Sequence, residues 1–464
     1  LLPEGLKQSF ARDWLDDVTS AQHPFSALIV PPLANAVQVP HSNPVIGVVS
    51  PDTALGVYGK TFGNMVALFE EREPVGSSDN SDKMKKNLRK DNDNTLHGKT
   101  MLRARMLDAV LGDWDRHEDQ WRWRDDGKGK SKDYLPVPRD RDQVFHLTEG
   151  IFPKLASRSY ILPTLRDFDP GMRHVKWLLY KTRFVNAYPS MQFSREEWRK
   201  QAERVKASLT DSVLEVGLRR LPESAYQLRH DQLLSTLKAR RDELPDAMDR
   251  YYRFTQKIVD IQATDKNERV LITGTKEGGL RVQMNKVNKE GQVKDELMDK
   301  TFDPQLTREV RIYLHNGKDS VIVADSGSSI KLRLIGGKDA KNYVVQQSPR
   351  TVRVYDTDNG SVVSDPSNRL KRHLSNDSLH TAFTPVNLYN IWMPVISLGL
   401  NLDDGFILGG GFRHIRQEGF RKYPYASLQQ FSVAHSFSTS AYRIRYTGEW
   451  IQVIGKADVV VQAQ

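Results

Sequence analysis

Two stretches decide how this chain reads: Asp113-Trp114-Asp115-Arg116-His117-Glu118-Asp119-Gln120-Trp121, and then Pro138-Arg139-Asp140-Arg141-Asp142-Gln143-Val144-Phe145. An amphipathic run over residues 101–111 leads into the first, with Leu102, Met106 and Val110 repeating at helical spacing. Asp115 is followed five positions later by an amide, Gln120. Asp140 comes just after a short predicted strand, residues 134–137. Phosphoryl transfer uses this layout: a carboxylate to orient the acceptor hydroxyl, an amide oxygen on a metal ion, and a separate carboxylate on the same ion.

Working outward, the chain of 464 residues is too long for one ordinary core and predicts two to four domains. Its net charge of +10 favours anionic partners: nucleic acid, lipid head groups or acidic saccharide. The densest basic run, residues 83–90, is followed at once by Asp91 and Asp93, and reads as a solvated face. Cysteine is absent, which removes disulfides, thiolate chemistry and cysteine zinc sites, and allows a periplasmic or outer-membrane address. No signal peptide opens the chain at Leu1. No apolar run approaches the roughly 20 residues of a membrane helix. The stretch 24–39 is interrupted by Pro31 and Pro32, so helical spans are excluded and a β-barrel is not.

Texture divides the chain into regions. Residues 1–95 mix a short helix (25–37) with strands at 45–49 and 65–69, and residues 96–262 are mostly helical. Ser194 with Glu197, and Ser224 with Gln227, read as capping boxes. Strand periodicity then takes over, predicting a small all-β module over 263–356 and a polar linker over 357–384. From 385 to 464 come long strand candidates, with Asp403-Asp404-Gly405 as a hairpin turn. Phe431 and Val433 alternate with polar residues, as do Tyr442, Ile444 and Tyr446 with Arg443, Arg445 and Thr447. Strands of about ten residues in this dyad pattern suit an outer-membrane barrel, with a large soluble antiparallel sheet as the alternative. A barrel in lipid must close, and the smallest have about eight strands. The four or five strands here therefore predict a fragment of a longer protein.

The acidic cluster admits other readings. Asp113, Asp115 and Asp119 could form a structural turn paired with Arg116, Arg122 and Arg139, or His117 and His146 could ligate a divalent metal. A serine or cysteine triad has no support. Gly336-Gly337-Lys338-Asp339-Ala340-Lys341 faintly resembles a calcium-binding turn, but Lys341 stands where a carboxylate is needed, so it reads as structural.

Asp115-Arg116-x-x-Asp119-Gln120-Trp121 resembles the catalytic loop of the atypical kinases, the group of type II phosphatidylinositol kinases, HipA-like kinases and secretory-pathway kinases. Asp140 and Phe145 match the Asp-x-x-x-x-Phe segment of that group. The resemblance implies Asp115 as catalytic base, Gln120 as the amide on the metal, Asp140 as the main metal carboxylate and Asp142 as its substitute. It implies Mg or Mn and ATP as cofactors. Gln120 replaces the usual Asn, and no nucleotide-binding lysine or glycine-rich loop is evident; Lys60 is the nearest candidate, and a pseudokinase is the alternative. Residues 1–95 then correspond to a partial N-lobe, with 65–71 entering the hinge, and residues 96–262 to a C-lobe.

The C-terminal strands are similar to BamA/TamA-like surface-antigen barrels. Residues 401–412 look like their first hairpin, and Gly419-Phe420-Arg421-Lys422-Tyr423-Pro424-Tyr425 like the turn after it. As a whole the chain is similar to long outer-membrane proteins of Bacteroidetes-type bacteria. In those a calcineurin-like metallophosphoesterase domain often comes first; its metal motifs are absent here. The expected fold is therefore a multidomain α+β protein: a kinase-like domain, an all-β module and the first strands of a truncated transmembrane β-barrel. The resemblance implies an outer-membrane address with the soluble part in the periplasm. Its partners would be outer-membrane lipid or lipopolysaccharide and protein clients, not nucleic acid. The rival expectation is a non-enzymatic assembly or translocation protein whose soluble part binds those clients.

Overall fold

The computed structural model describes residues 22–147, 154, 157–158, 161, 164, 166–455 and 457–464; residues 1–21 of the expected N-lobe lie outside them. The molecule is a multidomain α+β protein, with five separate sheets among the described residues.

The helical part centres on Gly98–Leu111, which is buried on nearly every side and ends at Gly112 in the left-handed region (φ 74°). A Cβ at Gly112 would meet the Phe168 ring at 2.9 Å, so glycine alone suits this stop. Helices Ser26–Ala36, Arg195–Ser208, Asp211–Leu218 and the 33-residue Glu223–Thr255 surround it. The Ser194 capping box is present. The one expected at Ser224 is not: the last helix starts a residue earlier, after Pro222, with no side-chain cap. The strands Trp121–Asp125 and Asp133–Pro138 form an antiparallel pair beside this core, and a separate hairpin, Val45–Val48 with Val66–Phe69, carries Glu70 at its end.

The all-β module is a two-sheet β-solenoid, and it is longer than expected. Strands Ile258–Gln262, Glu309–Tyr313, Lys331–Ile335, Val352–Asp356 and Leu370–Leu374 stack in parallel as one wall. Glu268–Gly274, Ser320–Ala324, Asn342–Gln347 and Val362–Ser364 stack as the other. The inner rungs start at Glu309, Lys331 and Val352, spacings of 22 and 21 residues. The antiparallel strands Leu280–Val287 and Val293–Phe302 extend one wall and interrupt the repeat. Two solenoid strands, Val362–Ser364 and Leu370–Leu374, one in each wall, therefore lie within the supposed linker 357–384. Its polar residues sit at corners, where Asp356 accepts from Ser361 Oγ at 2.9 Å and Tyr343 Oη at 3.0 Å. Val259, Ile312, Leu334 and Val354 fill the space between the walls.

The calcium-like turn is structural, as its lysine predicted. Lys341, fully buried, pairs with buried Asp319 at 2.9 Å. Its ammonium also donates to the carbonyls of Asn316 (3.0 Å) and Gly317. One fixed cation thus satisfies the carbonyls of the adjacent corner, which is why no carboxylate is needed at that position.

Residues 391–463 form an open five-stranded antiparallel meander, with Ile391–Asn401 and Ala457–Ala463 as its edges. The register aligns the alternating patterns. Trp392, Ile396, Leu398 and Leu400 share one face with Leu408, Phe412, Phe431, Val433, Ile444 and Tyr446. The other face carries Ser397, Arg413, Gln430, Ser432, Arg443 and Arg445. The apolar face is bare: Ile396 is 74% exposed, Leu398 69% and Ile444 57%. Among the described residues no helix is long and apolar enough to cross a membrane.

The buried Lys341–Asp319 pair generates a prediction. Lys341→Met leaves a carboxylate and two carbonyls without their cation, and should cost about 3–5 kcal/mol in chemical denaturation. A chelator should leave wild-type stability unchanged, because the lysine supplies the charge.

Candidate functional site

The two acidic segments are locked together by a pair of arginines. Arg141, in the second segment, reaches back to Asp108 (2.6 Å) and Asp113 (3.1 Å). Arg116, in the first, lies 3.7 Å from both acids and donates forward to the carbonyls of Arg139, Asp140 (3.3 Å) and Gln120 (3.1 Å). Its guanidinium sits 4.9 Å over the Trp121 ring. Asp108, Asp113, Arg116 and Arg141 are all buried, two acids against two cations. Burial pushes the Asp113 carboxyl up, and the two guanidiniums oppose the shift.

For Asp113 the structural-turn reading therefore holds. It does not extend to Asp115, which pairs with Lys181 rather than with an arginine. The Lys181 ammonium also lies 4.6 Å over the Trp114 ring. Nothing in the sequence singled out Lys181, because it lies 66 residues from Asp115 and outside any motif. Asp119 is almost wholly exposed, while Arg122 pairs with Glu73 at 3.1 Å.

Asp140 and Asp142 stand on a strained piece of backbone. Asp140 (φ 53°) and Phe145 (φ 61°) both occupy the left-handed region, which costs a non-glycine residue about 1–3 kcal/mol. The surroundings enforce it. The Asp140 amide donates to both Glu70 carboxylate oxygens, at 3.0 and 3.2 Å, and the buried Phe145 ring packs 4.6 Å from Phe168. Glu70, at the end of the expected hinge strand, thus positions Asp140 through its backbone.

The Asp142 carboxylate accepts from Gln143 at 3.1 Å and Gln22 at 3.5 Å. Among the described residues neither Asp140 nor Asp142 has a cationic partner. Burial, and after it the neighbouring charge of Asp140, push the Asp142 carboxyl up to about 6; Asp115 adds to the push. Asp115, Asp140 and Asp142 therefore share one electrostatic neighbourhood, while Arg116 and Arg141 are committed to Asp108 and Asp113.

Gln120 makes its side-chain contact with His117. Its amide lies 3.4 Å from His117 Nε2, and that nitrogen is 4.0 Å from Asp115. Its side chain thus belongs to a Gln120–His117–Asp115 chain. His146 is buried against Trp114, 6.0 Å between ring centroids, and burial holds its imidazole below the usual range. Among the described residues no group of three His, Asp or Glu side chains has metal-ligand geometry. What fits a divalent cation is the chemistry of two adjacent carboxylates, Asp140 and Asp142, without a counter-charge; an ion there would neutralise them. Lys60 is exposed on the short helix Gly59–Phe62.

The elevated Asp142 gives a pH prediction. A carboxyl raised in the folded state costs nothing below about pH 4, where both folded and unfolded chains hold the proton. Between about pH 4 and 6 the unfolded chain gives up the proton while the folded chain keeps it, so stability is lost across that window and stays lost above it. Asp142→Asn should therefore raise Tm at pH 7.5 and barely change it at pH 4. Mg²⁺ should raise Tm of the wild type at pH 7.5 but not that of the variant; equal responses in the two would contradict the crowding described.

No family model matches the chain, and no curated protein matches it. Among solved structures, the crystal structure of a Helicobacter pylori proinflammatory kinase, CtkA, is similar over 49% of this chain and 84% of that one. The TM-score is 0.27 and the sequence identity 11%.

Proposed function

We propose that this chain is an outer-membrane-anchored protein whose kinase-like domain is a metal-dependent phosphotransferase. The observation that carries the reading is that Asp140 and Asp142, two positions apart, have no cationic partner among the described residues while Arg116 and Arg141 are held by other acids. Carboxylates kept together without a cation are suited to take one up. Asp140 and Asp142 would hold Mg or Mn, which supplies charge neutralisation on a nucleotide's phosphates. Asp115 would accept the proton of an acceptor hydroxyl as its oxygen bonds to the terminal phosphorus. The bridging P–O bond breaks and its electron pair leaves with the nucleoside diphosphate. Lys181, paired with Asp115, would supply a positive charge beside the transferring phosphoryl group.

Anchoring is supported by the C-terminal sheet. From Trp392 to Leu400 the apolar face runs eight residues, about 27 Å at strand rise. At the 35–45° tilt of barrel strands this rises about 20 Å, most of the roughly 25 Å apolar band of outer-membrane barrels. Aromatic residues mark both ends: Trp392 and Trp450 at one, Phe406, Phe437 and Tyr442 at the other. The polar opposite face suits a lumen. The first strands of a BamA/TamA-like barrel have this construction, and further strands would close the edges.

A second reading is favoured by the same Lys181 contact. An Asp115 already neutralised by a lysine, with no nucleotide-binding lysine identified, suits a pseudokinase domain on a non-enzymatic assembly protein. Two measurements decide. With Mg²⁺ and radiolabelled ATP, the full chain in lipid nanodiscs should label a hydroxyl-bearing acceptor, and Asp142→Ala should reduce labelling about 100-fold or more. No transfer and no nucleotide binding would support the second reading. Brominated lipid should quench the fluorescence that Trp392→Phe with Trp450→Phe removes; absence of that quenching would remove the membrane anchor.

A further inference from the structure

A cleft of about 500 Å³ opens where three parts of the molecule meet: the helix Ser81–Lys90, the first corner of the solenoid and the strap that leads to the C-terminal sheet. Its floor is aromatic, with Phe184, Tyr188, His315 and Phe383 lining it. Its rim is the basic run that the sequence alone suggested was a solvated face. Two of those cations are committed: Lys85 to Glu118 and Asp82, Arg89 to Asp265 at 3.2 Å. Lys86 and Lys90, one helical turn apart on the rim, have no carboxylate partner among the described residues. His315 is buried and bonded through Nε2 to Gln262 at 3.1 Å, and burial lowers its pKa to about 3, so the floor adds no charge.

We propose that this cleft binds a phosphate monoester carried on a polar ring or lipid headgroup, with Lys86 and Lys90 holding the anion and Phe184, Tyr188 and Phe383 meeting the body of the ligand. Two ammonium groups of one sign beside an apolar floor suit a molecule with a compact anionic end and a stackable or apolar remainder. The cleft also lies next to the acidic site. Glu118, on its rim, belongs to the Asp115 loop, and the short helix Lys181–Val185 carries both Lys181, which holds Asp115, and Phe184, which lines the cleft. A ligand seated there would be the phosphoryl acceptor, an assignment of role that rests on the phosphotransferase reading; the binding itself does not. Pro385, on the rim, is six residues from Ile391, where the sheet begins, at most about 20 Å of chain. A headgroup at a bilayer surface surrounding that sheet is within reach.

The test uses the full chain in phosphatidylcholine nanodiscs, without nucleotide or metal. Glucose 1-phosphate in solution and phosphatidic acid in the discs are the two probes, with glucose as the uncharged control. Saturable binding is expected, weakening with added salt and falling about tenfold or more in Lys86→Glu with Lys90→Glu. The same charge change at exposed Lys128 and Lys130 should leave it unaltered. Binding of the sugar ester alone assigns a soluble ligand, and binding of phosphatidic acid alone assigns a lipid; either supports the cleft. No saturable binding of either probe, or equal loss in both double variants, overturns it. Binding by a wild-type chain that shows no phosphoryl transfer would leave this site standing and remove the phosphotransferase.

Discussion

The reciprocal clamp between Arg116 and Arg141 is the constraint from which the candidate site follows. Each arginine starts in one acidic segment and ends in the other, so the two loops cannot move independently. A buried guanidinium deprived of its acid is costly, by about 3–5 kcal/mol, and the four-charge cluster is balanced only when both loops are seated. The clamp also has a sorting effect. It uses Asp108 and Asp113 as counter-ions, leaving Asp140 and Asp142 without an arginine partner among the described residues and Asp115 to Lys181. The acids that hold the fold and those available for chemistry are thus different residues within one short stretch.

A second consequence concerns how the domains join. The solenoid does not hang from the helical part on a flexible tether. Arg89 pairs with Asp265, Asn92 with Glu268 at 2.8 Å, and the Gln262 amide with the Ala187 carbonyl at 2.8 Å. The strap before the sheet is pinned as well. Tyr389 packs among Trp177, Tyr180 and Phe254 and donates to the Lys176 carbonyl at 2.9 Å. Glu418 and Phe420, in the turn between the second and third strands of the sheet, meet Arg308 and Tyr355 of the solenoid. The Asp115 loop, the cleft and the amphipathic sheet are therefore held at fixed positions.

Local pattern made some of this legible before any coordinates. The helix over 101–111, the capping box at Ser194, the hairpin at Asp403-Asp404-Gly405 and the alternation in the last strands all appear where the sequence put them, because each depends on residues a few positions apart. The solenoid was not legible. Its rungs share a length but little sequence, and an inserted antiparallel pair breaks the repeat before the second rung. Its last corners are polar because Asp356 and Ser361 turn inward to satisfy one another, and an isolated reading takes such a stretch for a linker.

By itself, the sequence determined which residue types were available: the two acidic segments, the arginines among them, the strand alternation and the lysine that rules out a calcium turn. Only the tertiary structure decided their partners. Lys181 meets Asp115 across 66 residues, Gln120 turns to His117, and Lys86 and Lys90 come to overlook an aromatic floor built from distant parts of the chain. The reason is physical: hydrophobic period and turn chemistry act over a few residues, whereas the free energy of a charge depends on burial and on neighbours that only the packed chain supplies.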